Sequence, residues 1–443
     1  MLADPRIMLK KLLKNNLFSI LIIFSLISCH KSEKINSPVV DLISPVENSM
    51  IQIPDTIEIQ CNIQSERAIE SVSISIVNAN YISIFGTNTI NAPQTVQEIQ
   101  STLILRSLQN LDEAPYYILI SVHDGMSKWN SYFPIQLTMK PLYYKGFYLF
   151  SQGGINETRI DFYDPQLNDT IFIQSSGNYL DSDISNFFKK TYKITEIPHK
   201  LRAYSIDEKQ LDWEAGPQFP NPGFTDIQVD EDRIYAGMEN GQIVGYSQLS
   251  GQQKLITGML TDSIPQRIII LENWIVSDYL SRLNGNQTLV TFFKETGVIR
   301  QKQPIDFQIL SFINTVFPDK VMVVGNKNQS GIAALYDARN NYFEDIRVID
   351  EGNITAVCSI DEMQLILSID NSLYIYNYEL DVITALVSLD DSPENLYFEY
   401  ISNQIIVQFE KEISLYQFPG MEEVASLNFE QTLNALQLYY QND

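Results

Sequence analysis

A motif returning every forty or so residues constrains the chain from residue 143 to its C-terminus. A small or aliphatic residue is followed three positions later by an aromatic. The pairs are Ile160…Tyr163, Leu201…Tyr204, Ile243…Tyr246, Leu289…Phe292, Ala333…Tyr336, Leu373…Tyr376 and Ile413…Tyr416. The aromatic-to-aromatic spacings are 41, 42, 46, 44, 40 and 40. A short β-rich run precedes each copy, as at residues 192–195, 321–324 and 365–368. A unit this small cannot bury both faces of its own sheet, whereas stacked copies cover one another. The expectation is an all-β, seven-bladed β-propeller over residues 143–443, each blade four strands.

How the ring closes is also legible. Blades open on a strand such as Ile354-Thr-Ala-Val-Cys-Ser-Ile360 or Leu396-Tyr-Phe-Glu-Tyr-Ile401. Leu433-Asn-Ala-Leu-Gln-Leu-Tyr-Tyr440 has that character but no blade follows it, and the first blade, from Lys145-Gly146-Phe147, lacks such a strand. The C-terminal strand is therefore expected to pair with the first blade and remove two free edges.

Residues 39–140 read differently. Period-two alternation places Ile57, Ile59, Cys61 and Ile63 on one stripe, Val72, Ile74 and Ile76 on a second, and Tyr116, Ile118, Ile120 and Val122 on a third. Trp129, Ser131, Phe133, Ile135 and Leu137 make a fourth. Short alternating strands with Pro, Asn and Gly between them predict a β-sandwich. The segment from Leu111 through Tyr116 to Gly125 resembles the tyrosine corner of immunoglobulin-like and fibronectin-like modules. No cysteine on the Tyr116 strand faces Cys61, so both Cys61 and Cys358 read as inert core thiols.

The N-terminus carries the compartment signal. Lys10, Lys11 and Lys14 precede an apolar run from Leu17 to Ile27, too short to span a bilayer comfortably. Met8 reads as the natural start of that signal. Leu26-Ile27-Ser28-Cys29 resembles the bacterial lipobox, which implies cleavage after residue 28, lipidation at Cys29 and a tether over residues 29–38. Two or more acyl chains hold a protein stably where one does not. His30 follows the cysteine where an inner-membrane retention signal would place Asp, so the resemblance points to the outer membrane of a Gram-negative cell.

Composition narrows the chemistry. With 30 Lys+Arg against 54 Asp+Glu, the net charge of −24 excludes a nucleic-acid partner, because polyanions repel. Three histidines, His30, His123 and His199, fall in the tether, the sandwich and the propeller, where no two can act together. The blade from Asp230 to Lys254, with its Asn240-Gly241 turn and Ile243…Tyr246, resembles a repeat of quinoprotein-like propellers, and Trp213 stands where that family's blade-docking tryptophan would be. No Cys-Cys pair is present, so the quinone is not carried over, and no cofactor or metal is expected. Acids such as Asp181 and Asp183 read as solvated turn residues. The absence of nucleophile, phosphate-loop and metalloprotease motifs favours a binding or scaffold module for a protein or glycan over the alternative, a propeller-based glycan lyase or hydrolase. The expected binding face is formed by loops between second and third strands: Tyr279, Arg282, Asn284 and Asn286 from one blade, Lys327 and Asn328 from the next. These supply amides and cations able to read carboxylates, sugars or peptide backbones.

Overall fold

The computed structural model describes residues 36–91, 95–105, 115–216, 222–230, 233–315, 317–349, 352–361 and 363–442. Cys29, the lipobox and Leu111 lie outside the described residues. Every regular element among those described is a β-strand, and no helix there is long and apolar enough to cross a membrane. The chain divides into two compact units at Met139/Lys140.

In the N-terminal unit, a three-stranded sheet has Asp55–Gln64 at its centre, flanked by Val39–Ser44 and Val96–Leu105. A five-stranded sheet runs in the order Met50–Ile53, Lys128–Met139, Tyr116–His123, Ser71–Val77 and Ser83–Asn91. The first pair of that sheet is parallel and the others antiparallel. The predicted stripes meet in one core: Ile59, Cys61 and Ile63 from one sheet pack with Ile74, Ile118 and Ile135 from the other. Cys61 is free, and burial pushes its thiol up to about 11. Alternation fades at the start of the last strand, where Trp129 and Ser131 are half-buried and only Phe133, Ile135 and Leu137 reach the core.

The C-terminal unit contains seven four-stranded antiparallel sheets among the described residues. Six use consecutive strands, spanning residues 179–215, 224–256, 263–305, 308–349, 354–388 and 395–428. The seventh, first in chain order, joins Leu142–Gly154, Glu157–Tyr163 and Asp169–Ser176 to the C-terminal strand Leu433–Asn442. That strand pairs antiparallel with Leu142–Gly154, Leu436 opposite Leu149 and Leu438 opposite Phe147, as the unmatched terminal strand led us to expect.

Burial explains the repeat. The second strand of a sheet is covered on both faces: Lys190–Thr195 is buried at every position, and Gln364–Ile369 at all but its first. Such strands read as continuous apolar runs instead of alternating ones. The outermost strands alternate or are exposed, as in Tyr342–Ile349 and Glu422–Asn428. The recurrent aromatics sit on third strands inside these interfaces; Tyr336 and Tyr204 are nearly inaccessible. The arrangement is propeller-like, with successive first strands touching one another and Leu433–Asn442 touching the strands on either side of it, Tyr179–Ser185 and Gln404–Gln408.

Trp213 links the second sheet to the third. Its indole N–H donates to the Gln248 carbonyl at 2.9 Å, and a Cβ at Gly251 would lie 2.5 Å from the ring. Gln248, fully buried, also receives the Lys190 ammonium on its carbonyl at 3.0 Å and the Tyr192 hydroxyl on Oε1 at 3.0 Å.

Deleting residues 431–443 removes the buried side chains of Leu433, Leu436, Tyr439 and Tyr440 and uncovers the Leu142–Gly154 edge. Burial of one such side chain is worth roughly 1.5–3 kcal/mol, and a whole domain is stable by only about 5–15 kcal/mol. Calorimetry of the truncated chain is expected to show the melting transition of the C-terminal unit lowered sharply or lost, with that of the N-terminal unit unchanged.

Candidate functional site

The loops singled out in the sequence meet at a shallow groove. The loop at 282–286 leaves the fourth sheet of the C-terminal unit, and the two-residue turn at 328–329 leaves the fifth. Gly285 takes φ +71°, and the Asn284 side chain accepts the Asn286 N–H at 3.0 Å, which shapes the first loop. Asn286, Lys327 and Asn328 line one groove of about 340 Å³ together with Asp306 and Gln308. Lys327 pairs with Asp306 at 2.5 Å and holds that carboxyl below its usual range. Asn326 fixes the floor: its amide donates to the Ile354 carbonyl at 2.8 Å and accepts the Ile354 N–H at 2.7 Å. Arg282 and Asn284 are exposed nearby but do not line this groove.

Tyr279 is not part of the face. The strand Trp274–Ser281 continues past it, with Tyr279 opposite Pro265 on one side and Thr288 on the other. Only 1% of the residue is exposed. Its ring packs with Phe292 at 6.2 Å, its hydroxyl donates to the Gly241 carbonyl at 3.4 Å, and burial raises its pKa. The polar-looking run from Asp278 to Gln287 reads in the sequence as one loop, whereas pairing on both sides makes Asp278 to Leu280 part of the strand that ends at Ser281.

A second group of residues lies on and beside the first strands. Asp181 accepts the Ile227 N–H at 3.0 Å, and Asp226 accepts the Ile268 N–H at 2.8 Å, each carboxyl reaching from one sheet to the next. Asp183 likewise accepts the Val229 N–H at 2.6 Å and the Gln228 amide at 3.3 Å. Asp278 accepts the Arg267 N–H at 2.8 Å, with the Arg267 guanidinium 3.8 Å from its other oxygen. Asp181 and Asp226 also bond to each other through their side chains, so the pair holds a proton between them. Removal from water raises all four: Asp181 and Asp278 to about 6, Asp183 to about 7, and Asp226 well above the normal range, with the Asp181 charge adding to the last. Asp181 and Asp183 are thus not solvated turn acids. They sit on the strand Tyr179–Ser185 and bond the neighbouring sheet's backbone. The only trace in the sequence is the spacing of two, which puts both on one face of a strand.

No protein-family model matches the chain, and no curated protein matches it. Among solved structures it is similar to the computationally designed Ika8 protein, at 12% identity and a TM-score of 0.47, covering 66% of this chain and 89% of that one. It is also similar to Sqt1 of Saccharomyces cerevisiae, at 11% identity and a TM-score of 0.49, covering 66% of this chain and 88% of that one.

Two outcomes are expected from this geometry. Carboxyls with raised folded-state pKa values stabilise the fold fully below their unfolded value near 4, and that contribution is lost as pH rises through about 6 to 7. Asp226→Asn keeps an acceptor for Ile268 and gives Asp181 a permanent donor. Its melting temperature should exceed the unmodified protein's at pH 8 and approach it at pH 5, as read by differential scanning fluorimetry. Tyr279→Ala should destabilise by about 3 kcal/mol or more through the cavity it leaves, whereas Arg282→Ala should lie within about 0.5 kcal/mol of the parent in urea titrations.

Proposed function

We propose that this chain is a lipid-anchored binding module of the bacterial cell envelope. In this reading Cys29 carries the acyl chains, residues 29–38 form the tether, and the N-terminal unit is an immunoglobulin-like spacer. The seven sheets are the blades of a quinoprotein-like propeller, clasped by the C-terminal strand. The membrane assignment rests on the lipobox resemblance and on a body too acidic to lie against an anionic bilayer surface.

The observation that carries the binding role is the polar groove on consecutive sheets, where Asn286 and Asn328 present amides beside the Lys327 ammonium. Amides supply both donors and acceptors, and a cation held by one carboxylate adds charge without a large net field. Such a set suits a hydroxylated or peptide-like ligand, hence a glycan or an exposed protein backbone. The catalytic alternative would look to the Asp181–Asp226 pair, but both carboxyls are engaged in bonds between sheets.

Two measurements test the reading. Cys29→Ser expressed in a Gram-negative host is expected to move the protein from the membrane pellet to the soluble fraction; retention in the pellet through an acyl chain elsewhere would refute the anchor. Lys327→Ala with Asn328→Gly, glycine being suited to the positive φ of that turn position, is expected to abolish binding to the responding member of an envelope-glycan array or periplasmic protein panel, at an unchanged melting temperature. Undiminished binding by that double variant would move the site off the groove.

A further inference from the structure

The interface between the first and second sheets of the C-terminal unit holds, beside the apolar cluster of Phe150, Ile160, Phe172, Tyr204 and Ile206, a group of polar side chains. Between the fourth and fifth sheets the contact is apolar, with Val276 and Leu289 against Val323, Ala334 and Tyr336. Between the first and second, two cations stand side by side. Lys193 and Arg202 are directly opposed across neighbouring strands and so point to the same face. Lys193 is wholly inaccessible. Its ammonium donates to the Ser175 hydroxyl at 2.6 Å and to the Ser176 carbonyl at 3.5 Å, and among the described residues no carboxylate pairs with it. Arg202 donates to the same Ser176 carbonyl and, through Nε, to Glu214 at 2.7 Å; Glu214 is also bridged by Lys200 at 2.8 Å.

A buried cation with only neutral partners is expensive, and a second cation beside it makes it more so. Burial, with Arg202 adding to it, lowers the Lys193 pKa to about 7. In a chain of net charge −24, with acids in excess, leaving this ammonium without a carboxylate favours an anion supplied from outside. The space for one is present. Ser175, Ser176, Arg202, Tyr204 and Lys209 line a groove of about 470 Å³, with Glu214 on its wall beside Arg202 and the Lys193 ammonium behind Ser175. At Lys209 it meets a second cleft of about 300 Å³, walled by Tyr148, Phe162, Phe172 and Tyr439, with Lys145 at its edge.

We propose that this groove is an oxyanion-binding site, in which Arg202 and Ser175 receive a phosphate, sulfate or carboxylate group over the buried Lys193 and the aromatic cleft takes the ring or apolar body that carries it. The planar guanidinium fork matches such groups, and the ammonium behind it supplies charge in a medium of low dielectric. The site is separate from the loop groove of the fourth and fifth sheets and stands or falls independently of it.

The test is titration of the full chain with sodium sulfate, inorganic phosphate and glucuronate by isothermal calorimetry, with a response to glucuronate alone marking a sugar acid and a response to sulfate or phosphate a tetrahedral anion. Sulfate and glucuronate keep their charge between pH 6 and 8, so a pH dependence of their binding reports the protein. Lys193 is protonated below about 7, and affinity is expected to be several-fold higher at pH 6 than at pH 8. Lys193→Met keeps the stem volume and removes the desolvated charge. It should bind at least tenfold more weakly, lose the pH dependence, and melt no lower than the parent. Arg202→Lys, which keeps the charge and loses the fork, should weaken binding at both pH values while the pH dependence persists. Absence of saturable binding of all three probes at pH 6, or unchanged affinity and pH dependence in Lys193→Met, would overturn the proposal.

Discussion

No sheet of the C-terminal unit can bury its second strand unaided. Strands such as Lys190–Thr195 and Gln364–Ile369 present side chains to both faces, and each face is closed only by the next sheet. Stacking is therefore a condition for any sheet to fold. It extends to the ends of the chain, because Leu142–Gly154 must be covered by a strand, and the strand available is Leu433–Asn442. The stability of the first sheet thus depends on residues almost three hundred positions away.

Hydrophobic cover does not set how sheets align, since it is non-directional. Directional bonds near the first strands do that. Asp181 and Asp226 each take a backbone N–H of the following sheet, Gln437 donates to the Ser182 carbonyl at 2.7 Å, and the Tyr397 hydroxyl accepts the Leu436 N–H at 3.0 Å. Each bond satisfies a backbone group that has no ladder partner on that side. Keeping Asp226 protonated lets two carboxyls share this task without mutual repulsion. Trp213 and Gln248 perform the same service nearer the rim.

Charge is distributed to match. The excess acid lies largely on exposed strands and turns, where water screens it. Of the four buried cations among the described residues, Lys190, Lys193 and Arg202 lie on the second sheet, and Lys294, beside the fourth, is paired with Asp230 at 2.7 Å. Lys190 and Arg202 have carboxylates, Asp212 at 2.5 Å and Glu214 at 2.7 Å, whereas Lys193 has oxygens that carry no charge. That difference makes this interface the place where the unit's own packing leaves chemistry unfinished.

The recurrent aromatic, the continuous apolar second strands and the unmatched terminal strand were all legible in the sequence, because each follows from local pattern and chain order. So were the alternating stripes that place Cys61 in its core. Tertiary structure alone decided the rest. Tyr279 and Arg282 belong to the same polar-looking run, yet one is strand and core while the other is loop and solvent, a boundary drawn by pairing with Pro265 and Thr288. Asp181 and Asp183 resemble any turn acids until the backbone of the next sheet arrives beside them. Lys193 and Arg202 are nine residues apart and meet only across two paired strands. Periodicity reports which face of its own strand a side chain occupies; the partner that covers that face comes from another repeat, and only folding brings it there.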